Sequence, residues 1–291
     1  FRAERTYSRG LAIADGNGDG RTDVFLGNYR LQINRYFVND GASRVVEQAQ
    51  AAGLAGDLAN GAYGHTIGAA FGDLDNDGDL DMVHANLAHP RFYHFSDRSK
   101  VLLNDGVRAF EDLADTGFRY QETHSVPGLG DFDNDGVLDA VISAVYDGRP
   151  TDFYWGDGDG SFTLDAYRSG ITVTNTWGLG SSDLDGDGDL DLVLYDYYRN
   201  RRAHSGHWFS VRAVGDAGSN WAAIGATVRV TADGVTRSRL VQGSSGQGCQ
   251  DSMYLHFGLG EVAAVEQVEV TFPGGEPIVY PGPFDADQRL W

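Results

Sequence analysis

The sequence predicts an all-β protein: a four-stranded unit repeated at least four times, followed by a β-rich tail. Three observations predict it. An Asp-rich nonapeptide recurs four times, its starts 58, 58 and 52 residues apart at positions 15, 73, 131 and 183. Each copy lies between a short Gly/Ala-rich apolar stretch and an apolar run of strand length. Glycine is abundant, at 40 of 291 residues against 7 prolines, which suits many tight turns without a collagen period. Four short strands in roughly 50–58 residues is the size of a β-propeller blade.

The elements follow in order. The stretches before the loops are Leu11–Ala14, Ile67–Phe71, Val126–Leu129 and Trp177–Leu179; those after them are Val24–Leu26, Leu80–Val83, Leu138–Ile142 and Leu190–Leu194. Beyond these, Asn39-Asp-Gly41, Asn104-Asp-Gly106 and Gly156-Asp-Gly158 sit between apolar runs and predict tight hairpin turns. Each unit thus reads strand, Asp loop, strand, long loop, strand, turn, strand. The repeats occupy residues 1–203. Residues 204–291 form the tail, with strand-like runs at Trp208–Val214, Ala226–Ala232, Val235–Gln242 and Val265–Phe272. The tail is either a small sandwich packed on the repeats or a set of strands that helps close the ring.

The loops carry calcium chemistry. Candidate ligands are Asp15, Asn17, Asp19 and Asp23 in the first loop and Asp73, Asp75, Asp77, Asp79 and Asp81 in the second. The third offers Asp131, Asp133, Asp135, Asp139 and the backbone carbonyl of Val137; the fourth offers Asp183, Asp185, Asp187, Asp189 and Asp191. Ca²⁺ takes about 6–8 oxygens, and residues 1, 3, 5, 7 and 9 of each loop supply them. Residue 6 is Gly every time, which permits a sharp turn. A helix–loop–helix site needs Glu at residue 12; here that residue is Leu26, His84, Ile142 or Leu194, so the loop belongs to a strand–loop–strand unit. Convergent carboxylates without a cation repel one another, and four copies in register imply about four Ca²⁺ ions. The loops are saturated by protein ligands and Ca²⁺ does not acidify water as Zn²⁺ does, so their role is mainly structural. The first loop, with Asn17 in place of an Asp, is the weakest.

Composition narrows the partners. Net charge is −20, from 42 Asp and Glu against 22 Lys and Arg, so nucleic acid and anionic membranes are poor partners. The loops hold 17 of those carboxylates, three, five, four and five in turn. Nothing approaches the roughly 18 apolar residues of a spanning helix, so no membrane insertion is expected. A lone Cys249 excludes an intrachain disulfide and leaves the compartment open. The chain starts at Phe1 with no signal-peptide pattern, which points to a processed or trimmed product.

Gly-Ala-Ala-Phe-Gly-Asp-Leu-Asp-Asn-Asp-Gly-Asp-Leu-Asp, ending at Asp81, resembles the FG-GAP/VCBS repeats of integrin-α-type propellers. In the tail, Gly206-His-Trp208, Gly218-Ser-Asn220, Ala223-Ile-Gly-Ala226 and Leu255-His-Phe-Gly-Leu-Gly260 resemble the ASPIC/UnbV domain. The pairing is similar to the cartilage acidic protein family, bacterial members included. The resemblance implies an integrin-α-like β-propeller and an acidic protein that is secreted, extracellular or periplasmic. Such propellers commonly have about seven blades, and here four calcium motifs are visible.

In integrin-like blades the face away from the calcium loops carries the starts of the first strands and the loops between second and third strands. The first group holds Tyr7, His65, His124 and Trp177; the second holds Tyr29, Arg30, His84, Asn86, His89, Arg91, Tyr93, His94, Tyr146, Asp147, Arg149, Tyr195, Tyr197 and Arg199. Candidate ligand-binding residues are Tyr29, His84, His89, Arg91, Tyr93, Tyr146, Arg149, Trp177 and Tyr195. His65 and His124 are candidate acid–base groups, weighed against hydrogen-bonded packing. A small molecule, a glycan or a protein partner fits such a face. The alternative is a biosynthetic enzyme, of cyclase, isomerase or hydrolase type, with a His/Tyr/Arg pocket there and structural Ca²⁺. No nucleophile motif stands out, although Ser–His–Asp sets assemble from distant segments and leave no local signature.

Overall fold

The computed structural model describes residues 5–88, 97–106, 109–165, 169–201, 206–216, 218–244 and 249–291. His89, Arg91, Tyr93 and His94 lie outside the described residues. The described residues are all-β, with 22 strands, no helix and therefore no helix long and apolar enough to cross a membrane.

Four sheets follow the repeats. The first contains β1 (Ser8–Ala14), β2 (Asp23–Asn28), β3 (Arg35–Asn39) and β4 (Val45–Glu47). The second contains β5 (Thr66–Gly72), β6 (Asp81–Asn86), β7 (Lys100–Asn104) and β8 (Phe110–Asp112). The third contains β9 (His124–Gly130), β10 (Asp139–Ala144), β11 (Asp152–Gly156) and β12 (Phe162–Leu164). The fourth is reduced to β13 (Gly180–Ser182), β14 (Asp191–Val193) and β15 (Tyr197–Tyr198). Each is an antiparallel meander in chain order, the order of a propeller blade.

The inner strands stand side by side, β1 against β5, β5 against β9 and β9 against β13. Their Gly/Ala composition has a steric cause. A Cβ on Gly68 would lie 2.4 Å from the Ser125 carbonyl oxygen, so only a bare backbone fits between β5 and β9. Apolar cores fill the spaces between sheets. Phe25, Tyr36, Phe71 and Met82 pack between the first and second, Val83, Val101, Ile142 and Tyr154 between the second and third, and Phe132, Phe153, Leu190 and Leu192 between the third and fourth. Among the described residues these sheets do not close into a ring.

The tail forms two further sheets. One contains β17 (Thr227–Ala232), β18 (Val235–Leu240), β20 (Ala264–Thr271) and β21 (Ile278–Asp285), in the order β18-β17-β20-β21. The other contains β16 (His207–Val211), β19 (Leu255–Gly260) and β22 (Gln288–Leu290), with β16 antiparallel to β19 and parallel to β22. Phe209, Val228, Val230, Phe257 and Val268 form a core of their own between them. Leu240 at the end of β18 leaves that core and joins the one between the first two sheets.

Candidate metal centre

Each Asp loop joins the first two strands of its sheet, and its backbone donors wrap inward. The residue-1 carboxylate accepts the N–H of the residue-6 Gly in all four loops: Gly20 to Asp15 at 2.6 Å, Gly78 to Asp73 at 3.4 Å, Gly136 to Asp131 at 2.9 Å and Gly188 to Asp183 at 3.1 Å. Those glycines have φ between +81° and +99°, where a side chain is strained. Residue 5 accepts from the N–H of residue 7, so Asp19, Asp77, Asp135 and Asp187 hold Arg21, Asp79, Val137 and Asp189 at 2.8–3.2 Å.

Residue 9 opens the second strand and is buried in every copy. One of its oxygens accepts an N–H from the third strand or just past it, Asn39 to Asp23, Asn104 to Asp81, Gly156 to Asp139 and Asn200 to Asp191, at 2.8–2.9 Å. The other accepts the N–H of residue 2 in three loops, from Leu74, Phe132 and Leu184. In the first loop the Tyr36 hydroxyl donates instead, at 2.6 Å. Residue 9 therefore ties three strands together as well as bordering the loop.

Three loops gather carboxylates that could hold a metal ion. One oxygen from each of Asp73, Asp75 and Asp81 lies within 4.8 Å of the others; so do oxygens of Asp131, Asp133 and Asp139, and of Asp183, Asp185 and Asp187. Burial pushes Asp73 up to about 6, Asp131 to about 7 and Asp81 to about 8, and holds Asp139 well above the usual carboxylate range. The third loop gives a direct test of fit. Asp131 is buried, and its Oδ1 accepts no hydrogen bond. A buried, unbonded carboxylate oxygen beside two more carboxylates matches a hard oxygen-seeking cation.

The outer loops differ. Among the described residues the first loop shows no convergent trio. Arg21 Nη2 lies 2.5 Å from Asp19 Oδ2, and Asn17 Nδ2 donates to the same oxygen at 3.0 Å. In the fourth loop Arg199 pairs with Asp185 and, at 3.0 Å, with Asp187, while Arg289 pairs with Asp183 at 2.6 Å.

The tail sits on the loop side. Ser238 N–H donates to Asp73 Oδ2 at 3.1 Å and Gly258 N–H to Asp131 Oδ2 at 3.0 Å. A Cβ on Gly136 would meet the Arg237 guanidinium at 2.4 Å, and one on Gly188 would meet the Trp208 indole at 2.0 Å. Asparagines link loop to loop: Asn76 Nδ2 donates to the Gly136 carbonyl and Asn134 Nδ2 to the Gly188 carbonyl, both at 3.3 Å.

The expected ligand face is brought together only in part. Tyr29 meets His65 edge to face, ring centroids 4.8 Å apart, above Ile67, Leu87 and Val145. Arg30 lies over the Tyr7 ring at 4.3 Å. Tyr146 is exposed with φ +78°, Arg149 pairs with Glu122 at 2.6 Å, and Trp177 and Tyr195 are 44% and 70% exposed. Tyr197 and Arg199 depart from expectation: the Tyr197 hydroxyl donates to Asp191 at 3.0 Å, so both reach the fourth Asp loop.

The expectation of a loop position fails for His84, because β6 runs longer than the apolar run suggests, while His124 stands at the start of a first strand as expected. His84 lies inside β6, buried and stacked on Phe25 at 4.6 Å, and burial pushes it down to about 3. His124 opens β9 and is buried. Its Nδ1 lies 2.8 Å from Ser99 Oγ and its Nε2 3.0 Å from Asp152 Oδ2. Asp152 also pairs with Arg119 and accepts from Gln121. This Ser–His–Asp array is sealed: Ser99 and Asp152 are buried too, and both ring nitrogens are engaged. It ties the second sheet to the third.

Three buried cations, Lys100, Arg237 and Arg239, were not singled out by the sequence reading. Lys100 Nζ lies 2.8 Å from Asp57, 3.3 Å from Asp97 and 2.7 Å from Asp112. Arg239 is buried on β18. The available signal was Arg237 and Arg239 two apart, on one face of a strand that must bury it. Two grooves have no described histidine in their lining. One of about 630 Å³ lies between the tail sheets, lined by Val270, Phe272, Tyr280 and Leu290. Another of about 580 Å³ lies between the third and fourth repeat sheets, lined by Phe132, Phe153, Tyr198 and Arg199.

Residues 15–84 and 131–194 match the family described as FG-GAP-like repeat, and residues 215–282 match ASPIC and UnbV. Cartilage acidic protein 1 of Xenopus tropicalis is 26% identical over 289 residues, covering 93% of this chain and 42% of the relative. The Homo sapiens protein of that name is 26% identical over 292 residues, covering 94% and 42%. The chain thus spans about two-fifths of the length of these curated relatives. Among solved structures, a Bacillus licheniformis rhamnogalacturonan lyase aligns with a TM-score of 0.41 at 13% identity, over 95% of this chain and 57% of that one. The V. cholerae biofilm matrix protein Bap1 aligns with a TM-score of 0.40 at 11% identity, over 96% and 60%.

Proposed function

The chain belongs to the FG-GAP-like repeat proteins that carry an ASPIC and UnbV domain, and from that premise we propose that it is an extracellular or periplasmic, calcium-stabilised β scaffold that presents a binding face. About four Ca²⁺ ions, one per Asp loop, are its cofactors and act as clips between the first two strands of each sheet. The observation that carries this reading is Asp131, whose Oδ1 is buried without a hydrogen-bond donor beside Asp133 and Asp139. The relatives carry the name cartilage acidic protein 1, which supports an extracellular setting.

The binding face is the end of the inner strands away from the loops, around Tyr29, His65, Tyr146, Arg149, Trp177 and Tyr195. Exposed aromatic rings beside an Arg and a His suit a glycan, a small molecule or a protein loop.

Metal analysis tests the calcium reading. Protein purified with calcium and desalted should retain bound Ca²⁺, and EDTA should lower its melting temperature by several degrees. Unchanged melting and no retained metal would refute it.

A further inference from the structure

We infer that Arg239 is an internal counter-cation shared by the second and third Asp loops, and that it competes with calcium for the charge of Asp73 and Asp131. The inference rests on the calcium reading above.

Arg239 is more than nine-tenths buried. Its Nη1 donates to the Ser238 carbonyl at 2.9 Å, and its Cζ lies 5.5 Å from the centroid of the Phe257 ring. Its Nε and Nη2 have no hydrogen-bond partner. A buried guanidinium with two idle nitrogens persists only where opposite charge surrounds it. Asp131 is the strongest favourable charge on it, then Asp73, with Asp139 behind; Arg237 opposes. The residues around Arg239 in the fold hold the same two carboxylates. Ser238 N–H donates to Asp73 and Gly258 N–H to Asp131, so the tail strands place Arg239 against both loops at once.

A divalent ion in either loop would neutralise the carboxylates that compensate Arg239. Ion and arginine then weaken each other, a negative coupling that is reciprocal. The outer loops show a direct form of the same device, with Arg21 on Asp19 in the first and Arg199 and Arg289 on the fourth. The middle loops take their arginines from the tail: Arg229 reaches the Gly78 carbonyl of the second, Arg237 lies against Gly136 of the third, and Arg239 faces both. Arg239 is thus a positioning residue that keeps the calcium-free loops compact.

The test uses the whole chain, with Ca²⁺ alone as the probe. Arg239→Met should lower the melting temperature much more in EDTA than in saturating calcium. In calorimetric titration its middle sites should bind Ca²⁺ roughly tenfold more tightly than wild type. Arg239→Lys, which keeps the charge, should respond to calcium as wild type does. Arg239→Gln, read in the same way, serves if the methionine variant does not fold. An equal loss with and without calcium, at unchanged affinity, overturns the proposal and leaves Arg239 a packing residue. Wild-type protein that takes up no calcium overturns the calcium reading first, and this proposal with it.

Discussion

The N–H of Gly258 donates to Asp131 Oδ2 at 3.0 Å, across 127 positions of chain, and the same oxygen accepts from Gly136 within its own loop. One carboxylate is therefore fixed by its repeat and by the tail together.

Gly258→Ala should separate them. The added Cβ would lie 2.2 Å from that oxygen and 2.5 Å from the Asn134 backbone. Overpacking of this kind costs about 1–3 kcal/mol. Urea unfolding in saturating calcium should show the loss, and calcium titration should show one weakened site.

Asp139→Asn should be more damaging than Asp135→Asn. Asp139 is buried and accepts from Phe132 and Gly156 at 2.8 and 2.9 Å, and an amide turns one acceptor into a donor facing a donor. A buried unsatisfied pair costs about 1–3 kcal/mol. Asp135 is exposed and accepts only locally, from Val137, so its change should stay under about 1 kcal/mol in stability. Chemical unfolding of both variants in EDTA gives the comparison, free of any calcium that Asp135 would help to bind.

Acid should weaken the protein through His84. Burial pushes His84 down to about 3, so as pH falls below its ordinary value the unfolded chain takes up the proton first. Stability is then lost on acidification, by about 2 kcal/mol between pH 7 and 5 from this residue alone. His256, pushed by burial to about 4, adds a second contribution of the same sign. Denaturant unfolding in saturating calcium should show a shallower pH dependence for His84→Leu than for wild type.

Trp177→Ala and Tyr146→Ala should leave folding almost untouched, within about 0.5 kcal/mol, because both side chains are exposed. Both should abolish glycan or protein partner binding in an array or pull-down if the aromatic face is the binding face. Retained binding in both would move the site elsewhere.

The Asp loops were legible because their chemistry is local. Residues 1, 3, 5, 6 and 9 of one nonapeptide carry the turn and most of its oxygens. The inner strands were legible through their Gly and Ala, whose cause is the close approach seen at Gly68. The burial of His84 was not, because the extent of β6 has no nearby signature; hydrogen-bonded packing was one reading of His124, but its partners Ser99 and Asp152 come from distant positions. Arg239 and Lys100 were hidden for the same reason: the first meets carboxylates more than a hundred positions away, and the second draws Asp57 from across the sheet gap. Arg21 shows the reverse case. It stood in plain view inside the first loop, yet its pairing with Asp19 became plain only in three dimensions.

Asn76 and Asn134 hold φ of 57° and 61° and reach the residue-6 carbonyl of the following loop, while the corresponding residues of the first and fourth loops are Gly18 and Gly186. One asparagine in each of the two middle loops thus ties that loop to the one that follows. A blade duplicated between the second and third would need its own asparagine at that place to pass the connection on. The first loop is joined in another way, its Gly16 carbonyl accepting from Asn104 of the second sheet at 3.0 Å, so the bond that passes from loop to loop changes its donor along the chain.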